Sequence, residues 1–144
     1  MNQYSLLGSA SAVVPVMSYP FYHAYVPAGI PAPQHDASRD EIDLNKFLVQ
    51  HPRDTFFIRA RGESMRDAGI RDGSILVVDR ARVPSSGDIV VAILEGEFTV
   101  KRYVADEQGV VLHPENPQFR DIRVEAEARF AVWGVVTYVI HEAE

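Results

Sequence analysis

From Phe56 onward the apolar positions follow the pattern of short β-strands separated by turn signals. Phe56-Phe57-Ile58-Arg59-Ala60 predicts a strand ending near Gly62. Ser74-Ile75-Leu76-Val77-Val78-Asp79 predicts another, directly after the Asp72-Gly73 turn signal. Asp88 to Leu94 and Phe98 to Val104 flank Glu95-Gly96-Glu97 and read as a hairpin with glycine in its loop. Val110-Val111-Leu112 leads into a Pro114-Glu115-Asn116-Pro117 loop, and a last β-branched and aromatic run covers Val132 to Ile140. One short helix precedes these strands, over Asp43 to Val49. Asp43 is its N-cap, Leu44, Phe47 and Leu48 share a face, and Pro52 stops it. The expectation is a mostly β fold: a single small domain with a partly closed, curved antiparallel sheet and short helices.

The first 38 residues differ in character. They hold five of the nine prolines and no Lys or Arg, with Asp36 as their one acid and aromatics at Tyr19, Phe21, Tyr22 and Tyr25. Proline lacks an N–H and fixes φ, so such a segment is expected to be extended rather than helical. We therefore divide the chain into a Pro-rich arm, residues 1–38, and a core domain, residues 39–144. An arm lying on the body and a free terminal tail both fit this composition. Leu6 to Met17 is apolar, but the first basic residue is Arg39, so a secretory signal lacks its positive region. Pro15 and Pro20 interrupt the run, which is too short to span a bilayer. The expectation is a soluble cytoplasmic protein with no membrane contact.

Composition narrows the chemistry. A formal charge of −6 and a pI near 5.3 give no basic footprint for coating nucleic acid. The chain has no cysteine, which excludes disulfides, a thiol nucleophile and cysteine-ligated zinc. His23, His35, His51, His113 and His141 are well separated, so neither a metal site nor any other cofactor is expected. Glu95 and Glu97 read as a solvated hairpin tip rather than an acid–base pair.

The stretch Gly62-Glu63-Ser64-Met65-Arg66-Asp67-Ala68-Gly69-Ile70 is the most informative. Ser64 with Asp67 three residues later fits a helix cap, closed by Gly69. A serine opening such a turn also projects its hydroxyl beside free backbone N–H groups, as an oxyanion hole requires, with Met65 supporting the turn. Lys101 lies in the strand Phe98 to Val104, where alternation places Thr99, Lys101 and Tyr103 on one face. A strand lysine commonly faces solvent, yet this one sits in an otherwise apolar hairpin. A serine hydroxyl needs a base to become a nucleophile. Lysine becomes that base only if burial lowers its pKa from about 10.4.

These segments resemble the LexA/UmuD family of self-cleaving serine–lysine peptidases. Gly62-Glu63-Ser64-Met65 with Gly69-Ile70-Arg71-Asp72-Gly73 is similar to the family's nucleophile segment. Gly87-Asp88-Ile89-Val90-Val91-Ala92 with Glu97-Phe98-Thr99-Val100-Lys101-Arg102 is similar to its lysine segment. Ile42 to Asn45, Gln50-His51-Pro52 and Phe130 to Val139 extend the likeness, chiefly to the UmuD branch, over about residues 20–140; residues 1 to about 18 do not share it. The resemblance implies Ser64 as nucleophile, Lys101 as general base and a scissile bond between Ala28 and Gly29. UmuD-type sequences often have cysteine before that glycine, whereas this chain has alanine. It further implies a homodimer and cleavage stimulated by a RecA–single-stranded DNA filament in the SOS response to DNA damage. The shortened product would then assist a UmuC-type subunit of translesion DNA polymerase V, with no sequence-specific DNA binding of its own. A LexA-like repressor fits less well, since the arm lacks a basic helix-turn-helix. A non-enzymatic all-β module binding a polymerase or repair partner is the alternative of another class.

Overall fold

The computed structural model describes residues 16–23, 25–31 and 38–144. The apolar run from Leu6 lies outside the described residues up to position 15, as do His35 and Asp36. Contacts divide the chain into two units, Met1–Phe47 and Leu48–Glu144.

In the first unit β1 (Tyr19–Tyr22) pairs antiparallel with β2 (Arg39–Ile42), Tyr19 opposite Ile42 and Tyr22 opposite Arg39. The His23 N–H continues the pairing to the Ser38 carbonyl at 2.9 Å. Neither strand was expected. All of β1 and most of β2 are exposed, so no buried face imposes an alternation that the sequence would reveal. The helix α1 (Leu44–Leu48) follows. As its sequence predicts, Asp43 caps it, the carboxylate accepting the Asn45 N–H at 3.0 Å.

The second unit is a seven-stranded sheet. Its strands are β3 (Thr55–Arg59), β4 (Ile75–Asp79), β5 (Ile89–Leu94), β6 (Glu97–Asp106), β7 (Gly109–His113), β8 (Ile122–Arg123) and β9 (Phe130–Ile140). The order is β3-β4-β9-β5-β6-β7-β8, every neighbouring pair antiparallel. The mostly β fold expected from the sequence is the fold observed. Strand bounds fall within a few residues of those read from the pattern; β8, two residues long, carried too little pattern to be seen.

The β5–β6 hairpin is tighter than its sequence suggests. Leu94 pairs with Glu97, leaving only Glu95 and Gly96 in the turn, with φ of 50° and 80°. Two positive φ values are what a mirror-image two-residue turn demands. Glu95 is held in this conformation from outside, its N–H bonded to the Arg129 carbonyl at 2.8 Å and its carboxylate to the Arg129 side chain.

Successive residues of β5 feed two cores. Val91 joins Met65, Ile70, Leu76 and Val78, whereas Val90 and Ala92 join Leu112 and Val135. Register shifts at Val77/Val78 and Val91/Ala92, both against β9, bend the strands where these cores meet. Gly134 sits at this bend opposite Val91, and a Cβ there would lie 2.5 Å from Val78 Cγ1. Val78 is fully buried and β-branched, so it cannot swing aside. Gly134→Ala is expected to destabilise the fold by about 1–3 kcal/mol, as overpacked cores do. Urea unfolding measures this, and an unchanged midpoint would contradict it. No helix among the described residues is long and apolar enough to cross a membrane.

Candidate active site

A short 3-10 helix, Arg66–Ala68, follows Ser64 and Met65, and Gly69 ends it in the left-handed conformation at φ 81°. Its N-terminus has no side-chain cap, so Ser64 does not spend its hydroxyl on the capping role its sequence also allows. Within this turn the N–H groups of Arg66, Ala68, Gly69 and Ile70 are bonded to nearby carbonyls. The N–H groups of Ser64 and Met65 have no acceptor among the described residues. Two unsatisfied donors beside a serine hydroxyl can receive a developing oxyanion.

Lys101, 37 residues along the chain, reaches this serine. Its Nζ lies 3.1 Å from Ser64 Oγ, 2.7 Å from Thr99 Oγ1 and 3.2 Å from the Val100 carbonyl. Lys101 is only 8% exposed. The period of two that sets Thr99 and Lys101 on one face of β6 is what lets the hydroxyl meet the amine. Burial pushes the Lys101 ammonium below the usual lysine pKa, and no carboxylate offsets that effect among the described residues. With the ammonium, all three acceptors receive an N–H. With the neutral amine, two N–H groups suffice for Thr99 and Val100, and the lone pair faces the Ser64 hydroxyl. The same geometry therefore serves both protonation states, and the neutral one can take the serine proton.

The pair opens into a cleft of about 640 Å³, walled by Ile58, Val91, Val100, Phe98, Phe119 and Trp133. Trp133 is fixed in that wall by Phe56 at 5.3 Å, by Phe98 at 6.3 Å and by the Arg80 guanidinium 4.5 Å from its ring centre. An apolar, partly enclosed wall is the environment that favours an uncharged amine. Thr99 and Trp133 had no functional reading from the sequence. For Thr99 the shared strand face was the available signal; for Trp133, brought in from β9, there was none.

His51 pairs with buried Asp79 at 2.6 Å, His113 with Asp121 and His23 with Asp40. Burial opposes the charge of Asp79, but the bonds from His51 and the Ala81 N–H outweigh it and hold that carboxyl below its usual pKa. Among the described residues no group of three or more His, Asp or Glu is arranged to hold a metal. Ala28 and Gly29 lie in an exposed bend of the first unit. A Cβ on Gly29 would meet nothing within 4 Å, so this conformation does not itself require glycine there.

Comparison with known proteins finds relatives over most of the chain. The Peptidase S24-like family model matches residues 20–137. Protein ImpA of Salmonella typhimurium is 47% identical over 116 residues, covering 79% of this chain and 77% of that protein. Protein MucA of Escherichia coli is 39% identical over 128 residues, covering 88% and 87%. The LexA repressor of Idiomarina loihiensis is 42% identical over 118 residues, 80% of this chain and 56% of the repressor. A family match that runs through both Ser64 and Lys101, joined by relatives of this identity and coverage, establishes that the chain belongs to the Peptidase S24-like family.

Proposed function

We propose that this chain is a serine endopeptidase that cuts its own Ala28–Gly29 bond, residues 1–38 acting as substrate arm and residues 39–144 as peptidase core. The observation that carries this reading is the 3.1 Å approach of Lys101 Nζ to Ser64 Oγ in an apolar cleft. The neutral amine takes the Ser64 proton as Oγ attacks the Ala28 carbonyl carbon. The negative charge on the carbonyl oxygen is received by the N–H groups of Ser64 and Met65. Collapse breaks the C–N bond, and the Lys101 ammonium returns the proton to the departing Gly29 nitrogen. Water, deprotonated by the same amine, then hydrolyses the Ala28 ester and regenerates the hydroxyl.

Sequence separation permits this within one chain, since 64 − 29 = 35 residues lie between the bond and the nucleophile. At about 3.3 Å per extended residue the reach is ample. A tethered bond also has a high effective concentration, which favours it over free proteins. By family resemblance the reaction belongs to the SOS response in the cytoplasm. A RecA–single-stranded DNA filament would accelerate it by favouring the docked, water-excluded state without supplying a catalytic group. The product beginning at Gly29 would act as a homodimeric accessory subunit of a UmuC-type translesion DNA polymerase V. Its acidity suits contact with protein rather than with DNA.

Mass spectrometry of purified protein incubated at alkaline pH tests the reading. The expected pair of species is a fragment ending at Ala28 and one beginning at Gly29. A chain that stays intact at pH 10, with or without the filament, would favour the non-enzymatic interaction module.

A further inference from the structure

The loop after β7 holds both halves of the Ser64–Lys101 pair. Asn116 is 3% exposed, and its amide is chemically committed at both ends. The Nδ2 group donates to the Glu63 carbonyl at 2.8 Å, and Oδ1 accepts the Gln118 N–H at 3.0 Å. Next to it, the Glu115 carbonyl accepts the Asp67 N–H at 2.8 Å. The residue before Ser64 and the third residue after it are thus both tied to one dipeptide. The Glu115 carboxylate accepts Arg102 Nε at 2.6 Å, and Arg102 follows Lys101 directly. Arg102 is itself fixed, donating to the Gly87 carbonyl at 2.7 Å. The nucleophile turn and the lysine strand share no ladder hydrogen bonds, and this third segment is bonded to both.

We infer that Asn116 is a positioning residue for self-cleavage, anchoring the peptide before Ser64 so that Oγ meets Lys101 Nζ, with Glu115 bracing the lysine side of the same clamp. This rests on the reading of Ser64 and Lys101 given above. Asn116 touches neither substrate nor reacting atoms. It acts through the Glu63 carbonyl, whose placement determines where the next residue's hydroxyl points. Removing the donor leaves that carbonyl with only the longer bond from the Arg66 N–H of its own turn, at 3.2 Å, and frees the turn to shift. Misplacement by about 1 Å is enough to slow a positioned reaction about 100-fold.

The test compares the pH dependence of the self-cleavage rate in full-length wild type, Ser64→Ala, Asn116→Ala and Asn116→Asp, with folding checked by circular dichroism. Asn116→Ala is expected to cut about 100-fold more slowly. Labelling of Ser64 by a small fluorophosphonate, which needs no docked arm, is expected to slow in parallel. Asn116→Asp is nearly isosteric, so it preserves the packing if the alanine variant does not fold. Its carboxyl can donate to the Glu63 carbonyl only while protonated, whereas Lys101 is a base only while deprotonated. Between those two titrations the rate should be flat with pH, in place of the tenfold rise per unit expected of wild type. Glu63, Asp67 and Glu115, the Arg66 and Arg102 side chains paired with the last two, and His113, whose Nε2 lies 4.0 Å from the Glu115 carboxylate, are common to both chains and cancel in the comparison. A change in fold stability alone would lower the rate without altering its slope. Wild-type rates in Asn116→Ala, or an unchanged slope in Asn116→Asp, would overturn the inference while leaving the Ser64–Lys101 reading intact. Cleavage that persists in Ser64→Ala, or none in wild type, would sink both.

Discussion

Lys101→Ala is expected to abolish self-cleavage over any ordinary incubation, and Ser64→Ala to do the same, with both chains still folded. A positioned general base is worth about 10²–10⁴ in rate, so the lysine variant should retain at most a trace. The serine variant should retain none, because among the described residues the one other hydroxyl bonded to Lys101 Nζ is that of Thr99. That hydroxyl shares the strand of the lysine and lacks the paired N–H groups that Ser64 and Met65 present. Lys101→Arg should be as inactive as alanine, since a guanidinium does not release its proton in this range. The measurement is the fraction of chain beginning at Gly29 after days at alkaline pH. Full activity in Lys101→Arg would remove the lysine from the mechanism outright.

The second large effect is on pH. Below the Lys101 pKa the neutral fraction grows tenfold per pH unit, and the cleavage rate should grow with it before reaching a plateau. Burial lowers this pKa, so the plateau should begin below the range in which a lysine in water titrates. The same shift acts on stability, and the sign follows from proton linkage. A lysine whose pKa is lowered on folding makes the unfolded chain the better proton binder between the two pKa values. Stability therefore rises with pH across that window, and the penalty is fully present below the folded pKa. Lys101→Met, which fills the same space without a charge, is expected to be more stable than wild type at neutral pH and to lose this dependence. Urea unfolding at several pH values measures it. A wild-type rate independent of pH would show that proton removal from Lys101 does not limit the reaction.

The existence of the β5–β6 hairpin (though not its two-residue turn), the Asp43 cap and the Gly69 turn were legible because each depends on residues a few positions apart. The buried strands β4, β5 and β9 were legible because long apolar runs have few other ways to avoid water. The β1–β2 ribbon was not, since its exposed faces impose no pattern. Asn116 was seen as part of a loop and nothing more. An asparagine between prolines is ordinary turn chemistry until a carbonyl from 53 residues away is found beside its amide.

Local chemistry written along the chain determined which segments would be strands, where the turns would fall, and that Ser64 and Lys101 stood in segments of familiar kind. Hydrogen-bonding preference and hydrophobic periodicity operate over a few residues, and they survive in any reading of the order alone. Only the folded arrangement decided that Lys101 would be buried rather than solvated, that Thr99 and Val100 would share its amine, and that Trp133 would wall the cleft. Those outcomes depend on the proximity of residues distant in the chain and on the exclusion of water between them. The basicity of an amine changes with its surroundings, and the surroundings exist only once the sheet has closed over it.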